Sequence, residues 1–249
     1  MRWGSWELRS KETEEFKLGH KLYDQKKYSE AEEMFRQAVR GQERTLGQDH
    51  EDTLESKYWL GRTLYHQEKY SEAEEVLQQV VRGNERTLGQ DHEDMLESKS
   101  WLGRTLHRQK KYSEAEEVLR QAVRGQERTL GQDHEDTLES KSWLGRTLYH
   151  QKKYSEAEEV LRQVVRGDER TLGQDHKYTL KSNYWLGRTL HQQKKYSEAE
   201  EVLRQVVRGD ERTLGQDHED MLESKSWLGR TLYHQKKYSE AEEVLLLSF

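Results

Sequence analysis

The chain's 249 residues are 36 % charged and 31 % hydrophobic, with 48 acidic against 42 basic residues, a formal charge of −6 and no cysteine. A mildly acidic balance excludes whole-surface attraction to nucleic acid or anionic membrane, and the missing cysteine excludes disulfides, thiol catalysis and cysteine-based zinc sites. No run approaches the ~20 apolar residues of a membrane span, and the opening "MRWGSWELRSKETEE" lacks the apolar stretch of a signal peptide, so the sequence reads as a cytoplasmic protein.

A mean hydropathy of −1.25 is compatible with disorder, but the apolar residues are periodic. After an N-terminal segment, residues 1–10, the Tyr of "KYSEAEE" falls at Tyr28, Tyr70, Tyr112, Tyr154, Tyr196 and Tyr238, always 42 residues apart. Periods of roughly 20–50 residues mean stacked arrays. We therefore read one array over residues 11–249, in units of about 11–51, 52–93, 94–135, 136–177, 178–219 and 220–249, the last incomplete.

Each unit reads as two helices. The first runs in the second unit from about Asp52 to Gln67, with Asp52 and Glu55 as its expected cap and Leu54, Leu60, Gly61 and Leu64 on one face. The second starts near Ser71. Ala73, Val76, Leu77, Val80 and Val81 form a single helical stripe, and Ser71 with Glu74 has the spacing of a capping box, repeated as Ser29/Glu32, Ser113/Glu116, Ser155/Glu158, Ser197/Glu200 and Ser239/Glu242. Leu88-Gly89 should end it, glycine taking the left-handed position. Gly83, inside this helix, costs about 1 kcal/mol relative to Ala, and its return in every unit predicts close helix contact or a bend. One hairpin cannot bury its own stripe, whereas stacked hairpins can.

The small Gly61, Tyr70, the small Ala73 and the apolar Leu77 and Val80 resemble the tetratricopeptide repeat, and the 42-residue period with the linker "LGQDHEDTL" resembles the longer repeat of kinesin light chains. Similar arrays close the C-terminal ends of fungal nucleotide-dependent, NLR-like immune sensors. Gln48 and Glu51 stand where kinesin light chains usually carry proline, and Trp59 stands near their inner-helix Asn. The resemblance covers about residues 11–246. It implies an all-α fold, an α-solenoid with a right-handed superhelix of about six helical hairpins, that binds protein or extended peptide in a concave groove lined by the first helices.

Near-identical copies allow the chain to be compared with itself. Residues 152–176 and 194–218 are identical. Much of the variation falls on the first helix, at Tyr58, Ser100, Ser142, Tyr184 and Ser226; at Tyr65, His107, Tyr149, His191 and Tyr233; at His66, Arg108, His150, Gln192 and His234; and at Lys181, where other units have Glu. These positions share one side of a 3.6-residue helix, the side that lines the groove in the family. Beside them Trp59, Trp101, Trp143, Trp185 and Trp227, and Arg62, Arg104, Arg146, Arg188 and Arg230, are constant. Trp and Arg are common interface anchors, which gives a candidate peptide site suited to acidic or aromatic partners. The bland reading is that Trp packs between hairpins and Arg pairs with a Glu of the next unit.

Catalytic and metal chemistry find no footing. His50, His92, His134, His176 and His218 sit beside acids in the linkers, but no second ligand recurs at coordinating spacing, so they read as turn residues that pack against or cap the next helix. No phosphate loop or nucleophile elbow occurs, and the Glu pairs read as solvated helix faces. We expect no enzyme activity, no metal and no cofactor. His66, His150 and His234 suggest pH-dependent binding. The end "LLLSF", where other units read "LRQVV", raises the alternative of a structural module that self-associates through its repeat ends, with Trp3 and Trp6 covering the first hairpin.

Overall fold

A computed structural model describes residues 13–213 and 219–246. The expectations placed on Trp3, Trp6, His218, Leu247 and Phe249, and on the side chain of Leu246, lie outside the described residues. Among the described residues there are twelve helices and no strand: α1 (Glu14–Asp24), α2 (Tyr28–Thr45), α3 (Glu51–His66), α4 (Tyr70–Thr87), α5 (Glu93–Arg108), α6 (Tyr112–Thr129), α7 (Glu135–His150), α8 (Tyr154–Leu172), α9 (Lys177–Gln192), α10 (Tyr196–Thr213), α11 (Glu219–His234) and α12 (Tyr238–Leu246). They form two compact units divided after Gly131, each with three helical hairpins stacked as in a solenoid. Within each unit, consecutive helices pack on each other and neighbouring first helices also touch, while the second helices stand further apart. The first helices thus line the inner side of each unit.

This stacking explains a burial wider than the single apolar face read from sequence. In α3, Leu54, Leu60 and Leu64 are buried, but so are Thr53, Ser56, Tyr58 and Trp59, because the helix packs on its own second helix, on the preceding one and on neighbouring first helices. The second helix buries the expected stripe of Ala73, Leu77 and Val80, with Val76 and Val81 at its edges.

The caps differ from expectation only in part. Asp52 does not cap α3. His50 does, as read for the linker histidines, its Nδ1 accepting from Asp52 N–H at 3.2 Å, and His92, His134 and His176 repeat the arrangement. Nor does the Ser71/Glu74 box form: α4 already begins at Tyr70, preceded by Lys69 with no side-chain cap. Glu74 instead reaches the next hairpin, where it accepts from Gln109 Nε2 (2.6 Å) and Lys111 Nζ (2.7 Å). Glu32 does the same with Gln67 (2.8 Å) and Lys69 (2.7 Å), as do Glu158 with Gln193 and Lys195, and Glu200 with Gln235 and Lys237. Burial opposes the charge of Glu32, but the hydrogen bonds from Lys69, Arg36 and Gln67 outweigh it and hold its carboxyl below the usual range.

The turn inside each hairpin is a left-handed one that the sequence gives no glycine to announce. Lys26, Glu68, Lys110, Lys152, Lys194 and Lys236 have φ between 59° and 64°. Lys69 N–H returns to Leu64 O and Glu68 N–H to Tyr65 O, both at 3.0 Å, the paired bonds of a Schellman ending. At the far end of the second helix Gly47, Gly131 and Gly173 take positive φ as expected, but Gly89 does not: there α4 ends on an extended Leu88.

Gly83 marks contact. A Cβ there would come within 2.4 Å of the Leu54 side chain, and one at Gly61 within 2.7 Å of Leu77, so the α3–α4 hairpin is closed by two reciprocal Gly–Leu approaches, as are α5–α6, α7–α8 and α9–α10. Gly125 meets Leu96 in the same way at 2.2 Å, while Gly41, at the equivalent place in α2, has nothing within 4 Å. Two predictions follow from these backbone constraints. In urea melts Gly41→Ala should gain about 1 kcal/mol from helix propensity, whereas Gly125→Ala should lose about 1 kcal/mol, because overpacking against buried Leu96 outweighs the same gain. Lys110→Gly should raise stability by about 1 kcal/mol by relieving the left-handed strain.

Candidate functional site

The constant Trp and Arg of the first helices build an interleaved stack. In the first unit the Arg62 guanidinium lies 4.2 Å from the Trp59 ring and 4.6 Å from the Trp101 ring of the next hairpin, and Arg104 lies 3.7 Å from Trp101. In the second unit Arg146 lies 4.0 Å from Trp143 and 4.8 Å from Trp185, Arg188 lies 4.3 Å from Trp185 and 4.7 Å from Trp227, and Arg230 lies 5.1 Å from Trp227. Trp59, Trp101, Trp143 and Trp185 are only 4–7 % exposed. Trp59, Trp101, Trp185 and Trp227 therefore sit between hairpins as wedges, and each Arg stacks on the ring three residues before it. Arg62 stays charged despite burial, which favours the neutral form, because Tyr58, Tyr23 and Glu97 surround it.

The variable positions divide by depth. Tyr58 and Tyr184 are buried and tie the stack to the next hairpin: Tyr58 donates to Glu97 and accepts from Arg62 at 3.3 Å, and Tyr184 accepts from Arg188 at 3.1 Å, with Glu223 3.9 Å from that Arg. Tyr65, His107 and Tyr149 are also buried and His191 half-buried. Tyr65 packs edge-on to Trp101, Tyr149 to Trp185 and His191 to Trp227 at 5.4–5.5 Å. By contrast, His66, Arg108, His150, Lys181, Arg230, Tyr233 and His234 are exposed along the inner side. Variation between neighbours is coupled. Arg108 donates to Tyr65 Oη at 3.0 Å, Gln192 to Tyr149 Oη at 3.5 Å, and the His191 and His234 rings meet at 5.3 Å.

Three inner-side histidines have lowered pKa values. Burial, then Arg62 and Arg104, lower the pKa of His66 to about 4; burial, then His234 and Arg230, lower that of His191 to about 4; burial, then Arg188 and Arg146, lower that of His150. Each shift favours the neutral imidazole, and a pKa of about 4 argues against the expected binding switch at His66.

One group of residues was only partly visible in the sequence. On α9 the repeat pattern "EDTLESK" becomes "KYTLKSN", so that Lys177, Tyr178 and Lys181 replace Glu, Asp and Glu, and Asn183 replaces a buried Lys. Lys177, Tyr178 and Lys181 border a pocket of about 480 Å³ in the second unit, which also takes Arg146, Tyr184, Arg188, Asp210 and Glu223. The whole block, not Lys181 alone, distinguishes this repeat, and aligning the copies residue by residue reveals it. Among the described residues no group of three or more His, Asp or Glu side chains is placed to hold a metal ion, and no helix is long and apolar enough to cross a membrane.

The tetratricopeptide-repeat family profile matches residues 13–86, 94–170, 136–212 and 178–248. The chain belongs to the tetratricopeptide-repeat family. It is similar to the crystal structure of a putative kinesin light chain of Podosopora anserina with nearly identical TPR-like repeats, at 32 % identity and a TM-score of 0.69 over 80 % of this chain and 95 % of that one. The fold is shared with BtubC (BKLC) from P. vanneervenii, at 14 % identity and a TM-score of 0.75 over 89 % of each chain. It is also shared with the apo form of RapI, at 12 % identity and 0.72 over 94 % of this chain and 61 % of that one. No curated protein sequence matches this chain. Tetratricopeptide repeats are in general protein-interaction scaffolds, and no catalytic family is indicated.

Trp101→Ala should cost about 3–5 kcal/mol in denaturant unfolding, as for a buried aromatic, while exposed His150→Ala should stay within about 0.5 kcal/mol. The depressed histidines carry a pH signature. Their folded pKa values lie below the ordinary histidine value of about 6.5, so the unfolded chain binds more protons and stability falls as pH drops from about 6.5 toward 4. Urea midpoints taken from pH 7 to pH 4.5 should decline steadily, and His191→Gln should flatten the decline.

Proposed function

We propose that this tetratricopeptide-repeat chain is a non-catalytic scaffold that holds an extended protein segment along the inner side of its first helices, as the recognition part of a cytoplasmic sensor or adaptor. The observation that carries the reading is the placement of exposed differences between near-identical repeats. His66, Arg108, His150, Lys181, Tyr233 and His234 gather on that side. The second-helix surface meanwhile repeats one ion pair, Arg36–Glu72 at 2.6 Å, Arg162–Glu198 at 2.5 Å and Arg204–Glu240. Each such pair contributes only about 0.2–1 kcal/mol, and their sameness suits solubility and spacing rather than recognition. On this reading the Trp/Arg stack is the rigid floor, Tyr58, Tyr65, His107, Tyr149, Tyr184 and His191 fix its shape, and the exposed residues touch an aromatic, charged partner.

The test is a random-peptide display selection with the wild-type chain and a variant carrying Ala at His66, Arg108, His150, Tyr233 and His234. These changes avoid the Trp/Arg stack, so circular dichroism and melting should match. Enrichment by the wild type alone supports the reading, and equal enrichment by both overturns it.

A second reading, self-association through the last hairpin, is favoured by a largely apolar pocket of about 520 Å³ on α11 and α12, where Tyr233 is 62 % and Tyr238 55 % exposed. A mass that rises with concentration and falls on Tyr238→Asp would support it.

A further inference from the structure

The first helices carry a charge stripe whose sign depends on the repeat. Residues at i, i+4, i+7 and i+11 share one helix face. On α3 that face reads Glu51, Glu55, Tyr58, Arg62; on α5 Glu93, Glu97, Ser100, Arg104; on α7 Glu135, Glu139, Ser142, Arg146; on α11 Glu219, Glu223, Ser226, Arg230. On α9 it reads Lys177, Lys181, Tyr184, Arg188. The Arg at the end of each stripe is half-buried against Trp in most repeats, so the exposed charge of the inner side is set by the first two positions. Glu135 and Glu139 are exposed on α7, Lys177 and Lys181 on α9, and Glu223 on α11. The second unit thus presents, helix by helix, an acidic, a basic and an acidic rim.

The basic rim stands over a concavity. The pocket of about 480 Å³ is bordered by four cations, Lys177, Lys181, Arg146 and Arg188, against two acids, Asp210 and Glu223, and by the rings of Tyr178 and Trp185. Tyr178 is 48 % exposed, and Lys177 Nζ lies 4.9 Å from its ring. The neighbours differ accordingly. Arg188 has Glu223 of the following helix 3.9 Å away, and Arg62 has Glu97 close by, whereas the equivalent place next to Arg146 is held by Lys181. Here positive charge is concentrated in a recess with stacking surface beside it, an arrangement that takes a carboxylate and the chain around it. On α7 and α11 the exposed acids repel the same group and attract a cation.

We propose that α9 is the register-setting subsite of the groove: it takes an acidic side chain of a peptide segment whose flanking residues, over α7 and α11, are basic. This rests on the groove reading above and adds to it the charge order of the partner. A uniformly acidic segment is disfavoured by the Glu rims on either side and a uniformly basic one by Lys177 and Lys181, so a single offset along the groove satisfies all three helices. Electrostatic complementarity of this kind fixes register and partner choice more than raw affinity.

The test uses fluorescence anisotropy with three fluorescein-labelled synthetic peptides of one length, each containing tyrosine, with charges ordered basic–acidic–basic, all basic and all acidic. The wild type is compared with Lys177→Glu/Lys181→Glu, which installs the residues that the other repeats carry at these positions and so preserves the fold. The wild type should prefer the basic–acidic–basic peptide over the all-basic one by about tenfold, and the double variant should reverse that order. A preference that ignores the swap overturns the proposal. So does an absence of binding by all three peptides. If the swap has no effect but the inner-side alanine variant abolishes binding, the α9 subsite fails while the groove reading stands. If neither variant changes binding, both fail.

Discussion

The structure depends on a guanidinium held against the face of an indole, which joins α3 to α5, α7 to α9 and α9 to α11, while between α1 and α3 the His20 ring meets Trp59 instead at 3.9 Å. An isolated cation–π contact contributes about 0.5–1 kcal/mol when exposed and about 2 kcal/mol when desolvated. Here the Arg62 and Arg188 guanidinium groups lie between two indoles at 4.2–4.7 Å. The arrangement solves a problem set by composition. With 36 % of residues charged, the chain has little aliphatic surface for joining hairpins. Indole supplies large apolar area, and arginine, weakly hydrated and always charged, can be buried on it more easily than lysine.

Around that contact the hairpins are fastened at two other depths. Toward the second helices, Glu32, Glu74, Glu158 and Glu200 accept from a Gln and a Lys of the following hairpin, and the same Gln amide bonds a backbone carbonyl such as Tyr28 O at 3.1 Å. Inside the four middle hairpins, from α3–α4 to α9–α10, paired Gly–Leu approaches set the distance between the two helices. From α3 onward aromatic wedge, polar clamp and glycine contact recur at the same 42-residue spacing, so the junctions inside a unit are built alike. That is the condition for an approximately additive, nearest-neighbour stability.

How much of this was legible in the sequence follows from which features repeat in one residue and which need two. The helical pairs, the buried stripe of Ala73, Leu77 and Val80, and the family were readable because apolar period and glycine position are local signals. The caps were misread because Ser71 and Glu74 satisfy a capping-box spacing while Glu74 has a better partner in Lys111, thirty-seven positions away. The left-handed turns at Lys26 and its equivalents were invisible, since lysine carries no preference for positive φ and is held there by the Schellman bonds around it. The candidate site was half legible. Sequence placed the variable residues on one side of the helix, but depth on that side depends on the neighbouring hairpin, which buries Tyr65 behind Trp101 and leaves His66 exposed.

The indole–guanidinium junction also bears on how such a gene can change. On α3, α5, α7, α9 and α11 Trp and Arg stand three residues apart, so each of these hairpins both offers an arginine and presents a ring of the kind that receives its neighbour's, whereas α1 has Lys17 and His20 there. Removing or duplicating a 42-residue block among those repeats keeps the same junction residues in register. Recombination between copies can therefore lengthen or shorten the array, and reorder the exposed inner residues, without a compensating change elsewhere in the core.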